Sequence, residues 1–95
     1  MQPSSEFYVP VANVVTAIVD QTTVLTIADG DEGCTLTETG EEVWSLLQQR
    51  SRTVDRLVMA LARRSSGQAL ALVPDRVREE LDRFISHGLV RRVAA

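Results

Sequence analysis

The hydrophobic repeat of this chain changes period once, near Thr37, and that change sets the order of its elements. Before it, apolar residues come in short β-branched runs; after it, they recur at helical spacing. Val14 to Val19 and Thr23 to Ala28 each alternate with a period of two. The polar Asp20-Gln21-Thr22 between them reads as a hairpin turn, although it lacks the Asn-Gly or Asp-Gly pair typical of tight hairpins. Asp29-Gly30-Asp31-Glu32-Gly33 is a second turn, its glycines free to take positive φ, and Cys34-Thr35-Leu36 follows as a short third strand. Three strands so close together imply an antiparallel meander.

Three helices come next. Thr39-Gly40-Glu41-Glu42 fits a capping box ahead of the stripe Val43, Trp44, Leu46 and Leu47, and helix one is expected to end near Gln49. Thr53 caps a second helix with the stripe Val54, Leu57, Val58 and Leu61, stopped by Ser65-Ser66-Gly67. Residues 65–73 are left open between loop, helical turn and strand. Pro74 and Asp75 suit the first turn of a third helix with the stripe Val77, Leu81, Phe84 and Ile85, which Gly88 terminates after His87. Leu89 to Val93 reads as a short apolar tail. Strands followed by helices, without a repeat, predict an α+β domain of the winged-helix kind.

Ninety-five residues leave room for one core, so a single domain over 1–95 is expected, with its core between about 12 and 93. One Cys and one His exclude a disulfide framework, a multi-Cys zinc site and a His cluster. No nucleophile stands with a base, and no Gly-rich phosphate loop follows a strand, so the reading is non-catalytic, without cofactor or metal. The apolar run from Val9 is broken by Asn13, Thr16, Asp20 and Gln21, and Met1 to Phe7 lacks a basic signal start, which predicts a soluble cytoplasmic protein and no membrane partner. Charge is divided: residues 1–49 carry eight acids and no basic group, whereas residues 50–95 carry ten Arg and five acids, so the halves should attract.

The run Leu36-Thr37-Glu38-Thr39-Gly40-Glu41-Glu42-Val43-Trp44, the later Arg52-Thr53-Val54-Asp55-Arg56-Leu57-Val58 and the closing Gly88-Leu89-Val90 resemble the PqqD-like domains called RiPP recognition elements. That family shows a strand ending in Leu-Asn-x-Thr-Gly, an Ile or Val before Trp, a Thr-Val-x-x-Leu-Val stretch and a final Gly-Leu-Val or similar. Here Thr37 stands at the capping position usually held by Asn, and residues 65–73 depart from the family's usual helix connection. The resemblance implies a winged-helix-like, three-stranded antiparallel sheet followed by three helices. Its implied function is to bind the leader segment of a ribosomally made precursor peptide. The leader would add as a strand beside strand three, in the cleft to helix three.

On that reading Glu32, Gly33, Cys34, Thr35 and Leu36 contact the peptide from the strand side, and Arg76, Val77, Glu80, Leu81, Arg83 and Phe84 from the helix side. Val77, Leu81 and Phe84 are expected to keep part of their surface open as a groove, with Arg76, Glu80 and Arg83 along one rim. A free-standing domain of this size is similar to the leader-binding protein of lasso-peptide systems. Such a protein implies two partners: the precursor leader, expected to carry a Tyr and a few residues on a Pro, and a separate transglutaminase-like cysteine protease. It is also similar to the chaperone that presents a precursor to a radical SAM enzyme.

A winged helix that reads DNA is the rival from another class. Residues 74–83 carry four acids against three Arg, and the sequence pI is about 5.0, so phosphate repulsion argues against a nucleic-acid partner. Trp44 reads as core, His87 as a helix-end residue, Cys34 as an ordinary strand residue, and Asp29, Asp31 and Glu32 as a solvated turn without calcium-loop spacing.

Overall fold

The computed structural model describes residues 6–28 and 33–94. The chain runs β1 (Phe7–Pro10), β2 (Val14–Val19), β3 (Thr22–Ile27), β4 (Gly33–Thr35), α1 (Glu38–Gln49), α2 (Val54–Ala62), α3 (Gln68–Ser86) and β5 (Val90–Val93). The meander β2-β3-β4 is antiparallel as expected, with Val19 opposite Thr22 and Leu25 opposite Cys34. Its first turn is only Asp20-Gln21, both with positive φ (51° and 67°), so Thr22 belongs to the strand. Two left-handed residues in a two-residue loop match the right-handed twist of the strands they join, which explains how the hairpin closes without glycine. The acidic turn at 29–32, including Glu32, lies outside the described residues.

A second sheet pairs β1 with β5, bringing Phe7 opposite Val93 and Pro10 opposite Val90. Sequence pattern hides this ribbon because each strand has only four residues and its partner lies at the other end of the chain. Bonds from Tyr8 N–H to Arg52 C=O and from Val11 N–H to Leu89 C=O stitch it to the helical half. Among the described residues the attraction between halves takes the form of two ion pairs at the surface, Arg64–Glu42 and Arg92–Glu6, each worth at most about 1 kcal/mol.

Two helix starts differ from expectation. α1 is capped by Thr37, whose hydroxyl accepts from Gly40 N–H at 3.0 Å, and not by Thr39. Glu42, assigned to the capping box, instead pairs with Arg64. Thr53 caps α2 as expected, accepting from Arg56 N–H at 3.3 Å. α3 begins at Gln68, a full turn and more before Pro74, which sits inside it. The added turns stay in phase, since Val73 is buried one turn before Val77. The proline removes one backbone bond, to Leu70 C=O, on an exposed stretch where water can serve that carbonyl. At the other end Gly88, with φ 71°, terminates α3, and Leu89 N–H returns to Phe84 C=O at 2.9 Å.

The core lies where α1, α2 and α3 meet the inner face of the meander. Leu25 and Cys34 enter it from the sheet, Val43, Trp44 and Leu47 from α1, Leu57 and Leu61 from α2, and Val77, Leu81 and Phe84 from α3. Trp44 and Phe84 meet edge to face with ring centres 5.6 Å apart, which locks α1 to α3.

Candidate peptide-binding edge

The backbone phase of β4 decides what the sheet can accept. Leu36 N–H bonds Thr23 C=O at 2.9 Å, and Leu25 stands opposite Cys34, so residues 34 and 36 point their polar backbone groups at β3. By strand alternation, Gly33 and Thr35 point theirs away from it. Among the described residues no strand pairs with that outer side. Side chains follow the same alternation: Cys34 and Leu36 are buried, while Gly33 and Thr35 are exposed. Gly33 is required here for space, since a Cβ on it would come within 2.6 Å of Val24 Cγ1.

α3 faces this edge through Glu80 and Arg83. Arg83 Nη2 donates to Thr35 C=O at 2.7 Å and lies 3.8 Å from Cys34 Sγ; Nη1 reaches the two Glu80 oxygens at 3.1 and 3.4 Å. Glu80 is only 7% exposed and also accepts the Thr37 hydroxyl at 2.8 Å. A buried carboxylate is tolerated only when its oxygens are served, and here a guanidinium and the α1 cap serve them. Gly40 makes room for it, since a Cβ there would sit 2.9 Å from Glu80 Oε2. Neither Thr37 nor Gly40 is a contact residue on the sequence reading; the Thr-x-x-Gly spacing, a cap followed by a residue without a side chain, was the signal available.

The expected groove needs correction on its apolar side. Val77 and Phe84 are 0% exposed and Leu81 is 1% exposed, so in the unbound chain these three form a closed core wall and offer no open surface. They close because Leu25, Cys34 and Trp44 pack against the same stripe. Glu80, expected on the rim with its charge free for the peptide, is committed to Thr37 and Arg83 instead. The open volume lies further along α3. A cavity of about 640 Å³ extends from Thr37 and Glu80 past Arg76 and Glu79 to Arg64 and Ser66, lined by charged and hydroxyl groups together with the apolar Leu61, Ala69 and Val73, from all three helices and the α2–α3 connection. Arg76 is exposed at its mouth.

The surroundings of Cys34 favour its neutral thiol over the reactive thiolate. Burial pushes its thiol above the ordinary value, outweighing the opposing pull of the Arg83 guanidinium, and the Glu80 carboxylate pushes the same way as burial. A neutral thiol is neither a nucleophile nor a metal ligand. Among the described residues, no three His, Cys, Asp or Glu side chains gather as a metal set, and no helix is long and apolar enough to cross a membrane.

A three-stranded meander whose β4 edge is overlooked by the last of three helices defines a winged-helix-like α+β domain. The family model for coenzyme PQQ synthesis protein D (PqqD) matches residues 22–91, and the chain belongs to that family. No curated protein sequence matches it. Among solved structures it is similar to TbiB1 in complex with the TbiA(beta) leader peptide, with a TM-score of 0.71 and 23% identity over 92% of this chain and 99% of that one.

Proposed function

We propose that this chain binds the leader segment of a ribosomally synthesised precursor as an extra strand on β4, without catalysis of its own, and delivers it to a separate transglutaminase-like cysteine protease of lasso-peptide maturation in the cytoplasm. The observation that carries this reading is the outward phase of the Gly33 and Thr35 backbone beside α3, in a fold shared with a protein solved with a leader peptide bound. Backbone pairing supplies affinity, and the side chains along α3 and the adjoining cavity supply selectivity. A leader that orders on docking loses about 2 to 5 kcal/mol of the gross interaction, so a Kd between about 10 nM and 10 µM is expected. Presentation to a radical SAM enzyme is the second reading, favoured by the PQQ-synthesis family model.

The test is a titration of a fluorescent synthetic leader peptide, carrying a Tyr and a few residues on a Pro, against wild type and Thr35→Pro. Proline at this position deletes an amide that points away from β3, so the internal ladder survives. Equal affinity for the two proteins would remove β4 from the site. Capture of purified protease, or of purified radical enzyme, on the loaded complex separates the two deliveries.

A further inference from the structure

We propose that Arg83 is a stand-in for the missing strand: its guanidinium holds the β4 acceptor that a leader amide must take, so docking is an exchange at the Thr35 carbonyl. The inference rests on the proposed function and names the gate of that same site. Thr35 C=O points away from β3, and the Arg83 Nη2 bond to it, at 2.7 Å, is the shortest that this side chain makes. A strand added to β4 would run about 4.8 Å from it. A donor bonded along the outward carbonyl projects into that lane, so peptide and guanidinium compete for one place.

The rest of the network explains why the side chain waits there and how it leaves. Glu80, fixed by Thr37, holds the Nη1 side and keeps the head aimed at β4. The Arg83 side chain remains 39% exposed, so it can swing outward on its long stem without unpacking the core. In the unbound protein the contact also covers an otherwise naked acceptor, the kind of edge that invites pairing with any extended chain. A leader therefore gains entry only by offering an amide ladder good enough to replace a charge-assisted bond, which discriminates against single stray hydrogen-bond donors.

Removing Arg83 alone would strand the Glu80 carboxylate, so the comparison is Glu80→Gln against the double variant Glu80→Gln with Arg83→Met. The leader peptide described above is titrated against both and against wild type. A free acceptor should make the double variant bind roughly three- to tenfold tighter than Glu80→Gln, as expected for loss of one partly exposed competing hydrogen bond. Equal or weaker binding overturns the gate, because a residue that only braces α3 against β4 would weaken the site when lost. If the double variant fails to fold, wild type labelled with ¹⁵N at arginine decides: the Arg83 guanidinium resonances shift on saturation with leader if the exchange occurs, and an unmoved signal overturns it. Wild type that binds leader while either readout fails sinks the gate alone; wild type that does not bind sinks the proposed function as well.

Discussion

The meander has two edges, and they are built on opposite plans. β2 is six residues long, carries no charge, and is exposed on both faces, with Ile18 75% and Val19 55% accessible. Its carbonyl at Asn13 bonds Ala28 N–H, so by alternation the backbone groups of Val14, Thr16 and Ile18 point outward. Among the described residues no strand pairs with them. β4 is three residues long, tucks Cys34 into the core, and has its outer carbonyl held by an arginine from α3. Length and apolarity alone would make β2 the better strand acceptor. Selective recognition needs a wall beside the edge, however, and only β4 has one, because a ladder of backbone bonds reads no sequence until side chains find pockets.

The largest way to break this comparison is to remove the wall. Phe84→Ala should cost about 3 to 5 kcal/mol by urea denaturation, since the ring is fully buried against Trp44, and a domain of this size holds little more than that in reserve. Leu81→Glu, with its side chain 1% exposed, should act in the same way and unfold the domain before it reports on binding. A sharper test leaves the wall standing and alters the edges one at a time. Thr35→Pro should weaken leader binding at least tenfold, about 1.4 kcal/mol, whereas Thr16→Pro, the matching outward amide on β2, should leave the Kd unchanged. Equal losses from both would show that the peptide has no preferred edge. Gln21→Gly relieves a left-handed residue in the β2–β3 turn and should raise stability by roughly 1 kcal/mol in thermal melts without affecting the leader titration.

The two edges were also unequally legible in the sequence. The strands of the meander, the stripes of all three helices and the Thr53 cap follow from local periodicity, which physical contacts at short range enforce. What stayed hidden depends on partners far along the chain. Thr37 takes the cap of α1 because Glu80, 43 residues away, orients its hydroxyl; Thr39 offers the same local chemistry without that partner. The start of α3 was masked by Pro74, whose preference for a first turn is real but weaker than the burial of Val73 in phase with Val77. β1 needed β5 to exist at all. Of the site, strand β4 was legible, but which of its residues turn their backbone outward depends on the register with β3, which puts Thr35 outside and Cys34 and Leu36 inside. Of the three rim residues, Glu80 is buried on Thr37 and Arg83, Arg83 reaches Thr35 C=O, and Arg76 is exposed at the cavity mouth. That division is set by partners more than 40 residues away, which no local pattern carries.

The smallest expected effect concerns Cys34, which sits on β4 beneath the guanidinium. Its thiol is raised above the ordinary value of 9.0, first by burial and then by Glu80, against the pull of Arg83. For an acidic group raised on folding, the folded and unfolded chains both hold the proton at neutral pH, and the contribution is fully present there. As pH climbs through about 9, the unfolded thiol ionises first and draws the equilibrium toward unfolding, so stability falls until the folded thiol ionises too. Urea melts from about pH 8 to about pH 10 should therefore show wild type losing stability relative to Cys34→Ala. Adding saturating leader to the same series ties this slope to the edge. With Arg83 drawn off toward solvent, the thiol loses its one stabilising cation, so the bound protein should hold the proton to still higher pH. Alkylation of Cys34 by iodoacetamide at about pH 9, measured by mass spectrometry, should then slow on leader binding, whereas a rate untouched by leader would mean that the peptide never approaches β4.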